Sequence, residues 1–187
     1  MNPKETRILD AAFSLFYQHG YRKVSMGEIA SASQMSRPTL YASYAGKEAI
    51  FAALVERQCA RNELATQQRL PETAGAGLAA QLACLFDIWV VEPSASVIDS
   101  PNGIDMMANC GVYAPQALAG MYAALEMHLA SALAAAMRSE RTMRAADIAY
   151  ILRVATTAVK ASADSLPDLR HVVAGMITMA VATANAH

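Results

Sequence analysis

Residues Ser25 to Lys47 read SMGEIASASQMSRPTLYASYAGK, and the order of caps and apolar positions within them decides the fold. Ser25 stands where a helix N-cap belongs, ahead of a short stretch that buries Ile29 and Ala30. Ser36 caps a second stretch in which Pro38 falls inside the first turn. The link from Ala32 to Met35 is too short for an independent loop, so the two helices must cross steeply. This is the layout of a helix-turn-helix that reads DNA, with the second helix facing outward at its N-terminus.

Upstream, Ile8, Leu9, Ala12, Phe13, Phe16 and Tyr17 recur at helical spacing, with Gly20 as a stop. The wide apolar face of this first helix needs a partner, which Val24, Ile29, Met35 and Leu40 supply, giving a three-helix head. Downstream of Gly46 the pattern predicts a long helix from Lys47 to about Leu70, with Ile50, Phe51, Leu54 and Val55 on one side. Pro71, Gly75 and Gly77 break it. From Leu78 to Val91, Leu82, Leu85, Phe86 and Trp89 again recur at helical spacing, and Pro93 is expected to end that helix. Ser94 to Tyr113 predicts a short helix or helical loop. Ala117–Met137, Ala145–Ala163 and Leu169–Ala184 read as three more helices, separated by SERTM and DSLPD.

No segment alternates with period two while enriched in β-branched residues. The chain is therefore expected to be all-α: an N-terminal three-helix helix-turn-helix head joined by a long helix to a C-terminal helical bundle. Residues 1–46 form the DNA-binding domain of this reading. Residues 47–187, starting with the connecting helix, form a ligand-binding and dimerisation domain. The last two helices are apolar nearly all round, with Ile148, Ile151, Leu152, Val172, Val173, Met176 and Met179, and Gly175 permits close approach. Such helices must be buried on several sides. A homodimer through a four-helix interface, two helices from each subunit, accommodates them; an ordinary core helix is the alternative.

Of 187 residues, 55% are hydrophobic and 17% charged, a composition that fits a folded protein with a large buried interface and is also what alanine richness alone would give. Net charge is −1, yet up to Arg69 nine Lys and Arg face six Asp and Glu, whereas the remainder has six against ten. The front is the nucleic-acid side. Cys59, Cys84 and Cys110 are odd in number, widely spaced and without CxxC or Cys/His ligand spacing, which points to reduced thiols in a cytoplasmic protein with no metal. The polar MNPKETR start is unlike a secretory signal. Later apolar runs are interrupted by Arg153, Lys160, Asp164 and Pro167, so no membrane partner is expected.

LDAAFSLFYQHGY at residues 9–21, EIA at 28–30 and SRPTLYASYAGKEAIFAAL at 36–54 resemble the TetR family of transcriptional regulators (TetR/AcrR type) over roughly residues 5 to 55. Ala30, Leu40, Tyr41, Tyr44 and Lys47 fall in the family's order. The resemblance implies an all-helical homodimer with a DNA-binding head and a ligand-responsive body, repression being the family's usual mode; no enzymatic activity or cofactor is expected. Two departures stand out. Gln34 occupies the corner usually held by glycine, which costs on the order of 1 kcal/mol if its φ is positive. Ala42 and Ser43 replace bulkier aromatic or His side chains, which implies lighter backbone contact.

For DNA, Arg37 has the planar fork suited to guanine O6 and N7, with phosphate or carboxylate pairing as its alternative. Pro38 and Thr39 offer methylene and methyl surface to a thymine. Ser25, Tyr41, Ser43 and Lys47 are expected phosphate anchors, Ser25 doubling as cap; Tyr41 packed in the head is the alternative. Met26 and Ser36 complete the candidate DNA-binding set, and Tyr44 belongs to the core. The partner is double-stranded DNA carrying a palindromic operator.

For a small-molecule effector, Phe86, Trp89, Met106, Met107, Cys110, Tyr113, Tyr122 and His128 are the candidate lining, suited to an apolar or aromatic compound with one or two polar groups. Two other readings stay open. One makes Cys110 or Cys84 the sensor of a redox-responsive regulator. The other is an all-helical enzyme using Asp99, Asp105, His128 and Cys110, although no GxSxG, HExxH or phosphate-loop motif joins them.

Overall fold

The computed structural model describes residues 2–137, 143–163 and 165–186, with the backbone alone for residues 161 and 162. Most of the SERTM linker, and Asp164 of DSLPD, lie outside the described residues. Those described are helical and include no strand. The helices are α1 (Pro3–His19), α2 (Met26–Ala32), α3 (Arg37–Tyr41), α4 (Lys47–Arg69), α5 (Leu78–Phe86), α6 (Glu92–Ala95), α7 (Pro101–Ala108), α8 (Cys110–Tyr113), α9 (Pro115–Ala136), α10 (Ala145–Ser162) and α11 (Leu166–Asn185). A 3₁₀ turn, Leu70–Thr73, follows α4.

The chain folds into two compact units, residues 1–58 with 97–119, and residues 59–96 with 120–187. This is not a single cut after residue 46. Residues 97–119 join the first unit because they finish α1. The Asn102 amide donates to the carbonyls of Tyr17 (3.2 Å) and Gln18 (2.9 Å), and the Ser100 hydroxyl donates to Tyr17 (3.3 Å). These carbonyls belong to the last turn of α1, where no intrahelical donor exists. Gly103 lies so close to the Val97 carbonyl that a Cβ would collide with it, which keeps the approach to α7 tight. Tyr113 stacks on Tyr21 at 3.9 Å between centroids and meets the edge of Phe51 at 5.4 Å.

Within the first unit, Asn2 caps α1 in a capping box with Glu5, and Ile8, Leu9, Ala12 and Phe16 form its buried face. Arg57 of α4 reaches Asp10 of α1 at 2.6 Å. The Lys47 ammonium donates to the carbonyls of Tyr21 (2.8 Å) and Arg22 (3.3 Å), closing the α1–α2 connection.

In the second unit, Leu82, Leu85, Phe86 and Trp89 pack with Leu125, Leu129 and Leu133 of α9, Ile148 and Leu152 of α10, and Val173 and Met176 of α11. Pro93 does not end the helix that begins at Leu78, contrary to the sequence expectation: the backbone passes through a π turn, Asp87–Val91, and continues as α6. Proline has no N–H, so the Trp89 carbonyl four residues earlier loses its normal donor. Lys160 takes its place at 3.4 Å, and Ser94 donates to Val90 at 2.7 Å. The Trp89 indole in turn donates to Thr66 at 2.8 Å.

Two stretches that sequence reading did not single out, Leu78–Ala95 and Pro115–Ala136, are long and apolar enough to cross a membrane by length and composition. Their large apolar side chains Leu82, Leu85, Phe86, Leu125, Leu129 and Leu133 all lie in one core. In Pro115–Ala136, alanines on exposed positions raise the hydropathy further.

Candidate nucleic-acid interface

The α2–α3 corner is built by backbone chemistry. Ser25 caps α2, its hydroxyl accepting from the Glu28 N–H at 3.3 Å while Glu28 accepts from the Ser25 N–H at 2.7 Å. These bonds hold the Glu28 carboxyl below its usual range. At the other end Gln34 adopts φ of 56°. The Met35 N–H then reaches the Ala30 carbonyl (2.8 Å) and the Gln34 N–H that of Ser31 (3.0 Å). This pair of bonds is a Schellman closure, whose left-handed residue is usually glycine. Ser36 caps α3 by accepting from the Thr39 N–H (3.2 Å), and the two hydroxyls pair at 2.7 Å. Leu40 is fully buried and fixes α3 on the head.

What remains outward is the start of α3. Ser36, Arg37 and Pro38 are exposed and Thr39 is half-buried. Tyr41 is 53% exposed, so it is a surface residue and does not pack in the head. Ser25 is exposed and Met26 half-buried at the start of α2. Ser43 donates back to the Thr39 carbonyl at 3.3 Å. Lys47 is half-buried with two of its N–H groups on carbonyls of the head, a fold-closing duty the sequence did not reveal. Tyr44 is half-buried, and burial raises its phenol above the ordinary value. Burial, with Glu48 beside it, also raises that of Tyr21.

The candidate effector residues do not gather in one unit. Phe86, Trp89, Tyr122 and His128 belong to the second, where His128 Nε2 pairs with Glu63 at 2.9 Å and its ring lies 5.6 Å from that of Trp89. The Lys160 ammonium stands 5.7 Å from the Tyr122 ring centre. Met106, Met107, Cys110 and Tyr113 belong to the first unit, and Tyr113 is stacked in its aromatic core. The enzyme candidates divide likewise: Asp99, Asp105 and Cys110 in one unit, His128 in the other. Asp105 accepts from the Asn109 amide at 2.8 Å. Among the described residues no three His, Cys, Asp or Glu side chains are placed to hold a metal ion. Cys84 is half-buried, and burial pushes its thiol up, away from the reactive thiolate.

The candidate dimer residues separate by face. Ile148, Leu152, Val173 and Met176 are buried within the protomer, as core residues, while Ile151, Val172, Gly175 and Met179 are exposed. Tyr150 and Val154 extend the exposed apolar strip on α10. On α11 the exposed positions 172, 175 and 179 recur at helical spacing.

A capped two-helix corner that presents a short helix by its N-terminus, in a chain that also folds a second helical unit, defines a helix-turn-helix protein with a further body. Residues 8–54 match the family described as bacterial regulatory proteins, tetR family. Over that segment the chain is similar to the TetR family. It is 32% identical over 113 residues to the HTH-type transcriptional repressor ComR of Escherichia coli, a match covering 57% of this chain and 50% of that protein. The chain thus spans about half the length of that curated relative. In fold it is similar to a putative TetR-family transcriptional regulator from Rhodococcus sp., with a TM-score of 0.73 and 17% identity over 96% of this chain and 99% of the other. It is also similar to a putative transcriptional regulator from Saccharomonospora viridis solved in complex with choline, with a TM-score of 0.65 and 18% identity over 93% and 95% of the two chains.

Proposed function

We propose that this chain is a sequence-specific DNA-binding transcriptional regulator of the cytoplasm, a repressor that grips a palindromic operator as a homodimer and is released by a small effector. The observation that carries the reading is the exposed N-terminal turn of α3, held between the Gln34 corner and the Ser36 cap. Arg37 reads a base pair, Pro38 and Thr39 contact a neighbouring base, Ser25, Tyr41 and Ser43 set the register on phosphates, and Met26 and Ser36 complete the interface. Lys47 keeps one N–H for a phosphate beyond its two carbonyl bonds. The exposed strip of Ile151, Val154, Val172, Gly175 and Met179 forms the dimer interface. The chain carries out no enzymatic step.

The effector, an apolar or aromatic compound with one or two polar groups, binds in the second unit near Trp89, Tyr122 and His128, with Phe86 as core support. The choline complex of a neighbour in fold supports small-molecule binding by this architecture. Met106, Met107, Cys110 and Tyr113 lie in the first unit and stand outside this proposed site.

Selection of the purified protein on a random-duplex pool at moderate salt tests the reading. An enriched palindrome, bound more weakly as salt rises, is expected. No motif from protein that is folded and dimeric would refute it.

A further inference from the structure

We infer that Gly27 is a positioning residue for Arg37: the side chain that Gly27 lacks gives the Arg37 guanidinium its seat on the first turn of α2, and that seat aims the guanidinium at its base. The inference rests on the DNA-reading function proposed above.

Gly27 lies inside α2, where glycine is unfavourable relative to alanine. The backbone does not require it. The positive-φ glycines are Gly20, Gly75 and Gly77, so Gly27 holds a conformation open to any residue. The reason lies across the corner. A Cβ at Gly27 would stand 2.5 Å from Nη2 of Arg37 and 3.1 Å from its Cζ and Nε, so the guanidinium rests on the bare α-carbon. The Arg37 side chain is exposed and, among the described residues, makes no hydrogen bond or ion pair. Contact with α2 is therefore what orients it. A planar fork recognises guanine O6 and N7 only when its plane is aligned, and a seat fixed before docking reduces the freedom lost on binding.

The atoms a Cβ would meet are the far end of a flexible side chain, so Gly27→Ala moves the arginine and leaves the head intact. The experiment uses the full chain as wild type, Gly27→Ala, Arg37→Ala and the double variant. Random-duplex selection with wild type and Arg37→Ala identifies the base pair whose preference depends on Arg37. Affinities are then measured on the selected operator and on duplexes changed at that pair or elsewhere.

Gly27→Ala is expected to lower discrimination at that pair about tenfold, to preserve it elsewhere, and to add nothing in the Arg37→Ala background. Its melting temperature should equal or exceed that of wild type. Full discrimination by Gly27→Ala, or a uniform affinity loss that persists without Arg37, overturns the inference while leaving the DNA-reading function standing. A wild type that selects no motif overturns both, and a selected motif indifferent to Arg37→Ala overturns the assignment of Arg37 and this inference with it.

Discussion

The two units rely on helix ends and on packing in different proportions. In the first, short elements are held at their ends: Asn2, Ser25, Ser36 and Ser100 each accept a backbone N–H at the start of a helix. In the second, α10 and α11 also have end bonds, at Asp147 and Ser165, but α5 starts at Gly77 with no side-chain cap and is held by what it buries. A helix of five or seven residues cannot stand on propagation alone, so end chemistry decides it; one of about twenty residues is decided by the face it buries. Precision at the DNA-reading corner proposed above calls for the first solution, and the effector-binding body proposed with it can use the second.

The sharpest way to break this contrast is to remove packing from the second unit. Trp89→Ala deletes a side chain that is 1% exposed and its bond to Thr66, and should cost about 3 to 5 kcal/mol in denaturant unfolding. A loss below about 1 kcal/mol would mean that packing at the π turn is not what holds this unit. Next, Gly175→Leu probes the outer face. A Cβ at Gly175 meets nothing within its protomer, so the helical circular dichroism should be unchanged while sedimentation shifts to monomer. An intact dimer would remove this strip from the proposed interface.

Smaller effects are expected at the corner. Gln34→Gly relieves the left-handed backbone at φ 56° and should stabilise the protein by up to about 1 kcal/mol, read from the urea midpoint. A destabilisation would show that the Gln34 side chain contributes more than its backbone strain costs. The smallest effect concerns two carboxylates at helix starts, Glu28 in the first unit and Asp147 in the second, both held below their ordinary values, chiefly by hydrogen bonds from Ser25 and Arg144. A depressed folded-state value means stability present above the unfolded carboxylate range and lost as pH falls through the folded value. The melting temperatures of Glu28→Ala and Asp147→Ala should therefore trail wild type at neutral pH and converge with it in acid. If short helices depend more on their ends, the Glu28 gap should be the larger.

The same division explains what could be read from the chain alone. Ser25, Ser36, Pro38 and the strained Gln34 announce themselves locally, because a cap or a turn is chemistry between residues a few positions apart. The docking of Ser100 and Asn102 on α1 joins residues more than eighty positions apart and leaves no periodic trace. Residues 97–119 therefore read as part of the body, and Met106, Met107, Cys110 and Tyr113 as companions of Trp89. Ser100 before Pro101 was the available clue, since serine ahead of proline marks a helix start, though not its destination. Pro93 misled for a related reason: the donor that takes the place of its missing N–H is Lys160, which lies far along the chain.

The insertion of residues 97–119 also bears on modularity. The backbone crosses between the units after Gln58, after Ser96 and after Ala119, so the reading head is no detachable N-terminal cassette. A fragment cut after residue 58 would leave the last carbonyls of α1 without Ser100 and Asn102 and strip Tyr113 from the face of Tyr21. A chimera that grafts this head onto a foreign body must therefore bring a matching segment from that body, or inherit a head with an open seam.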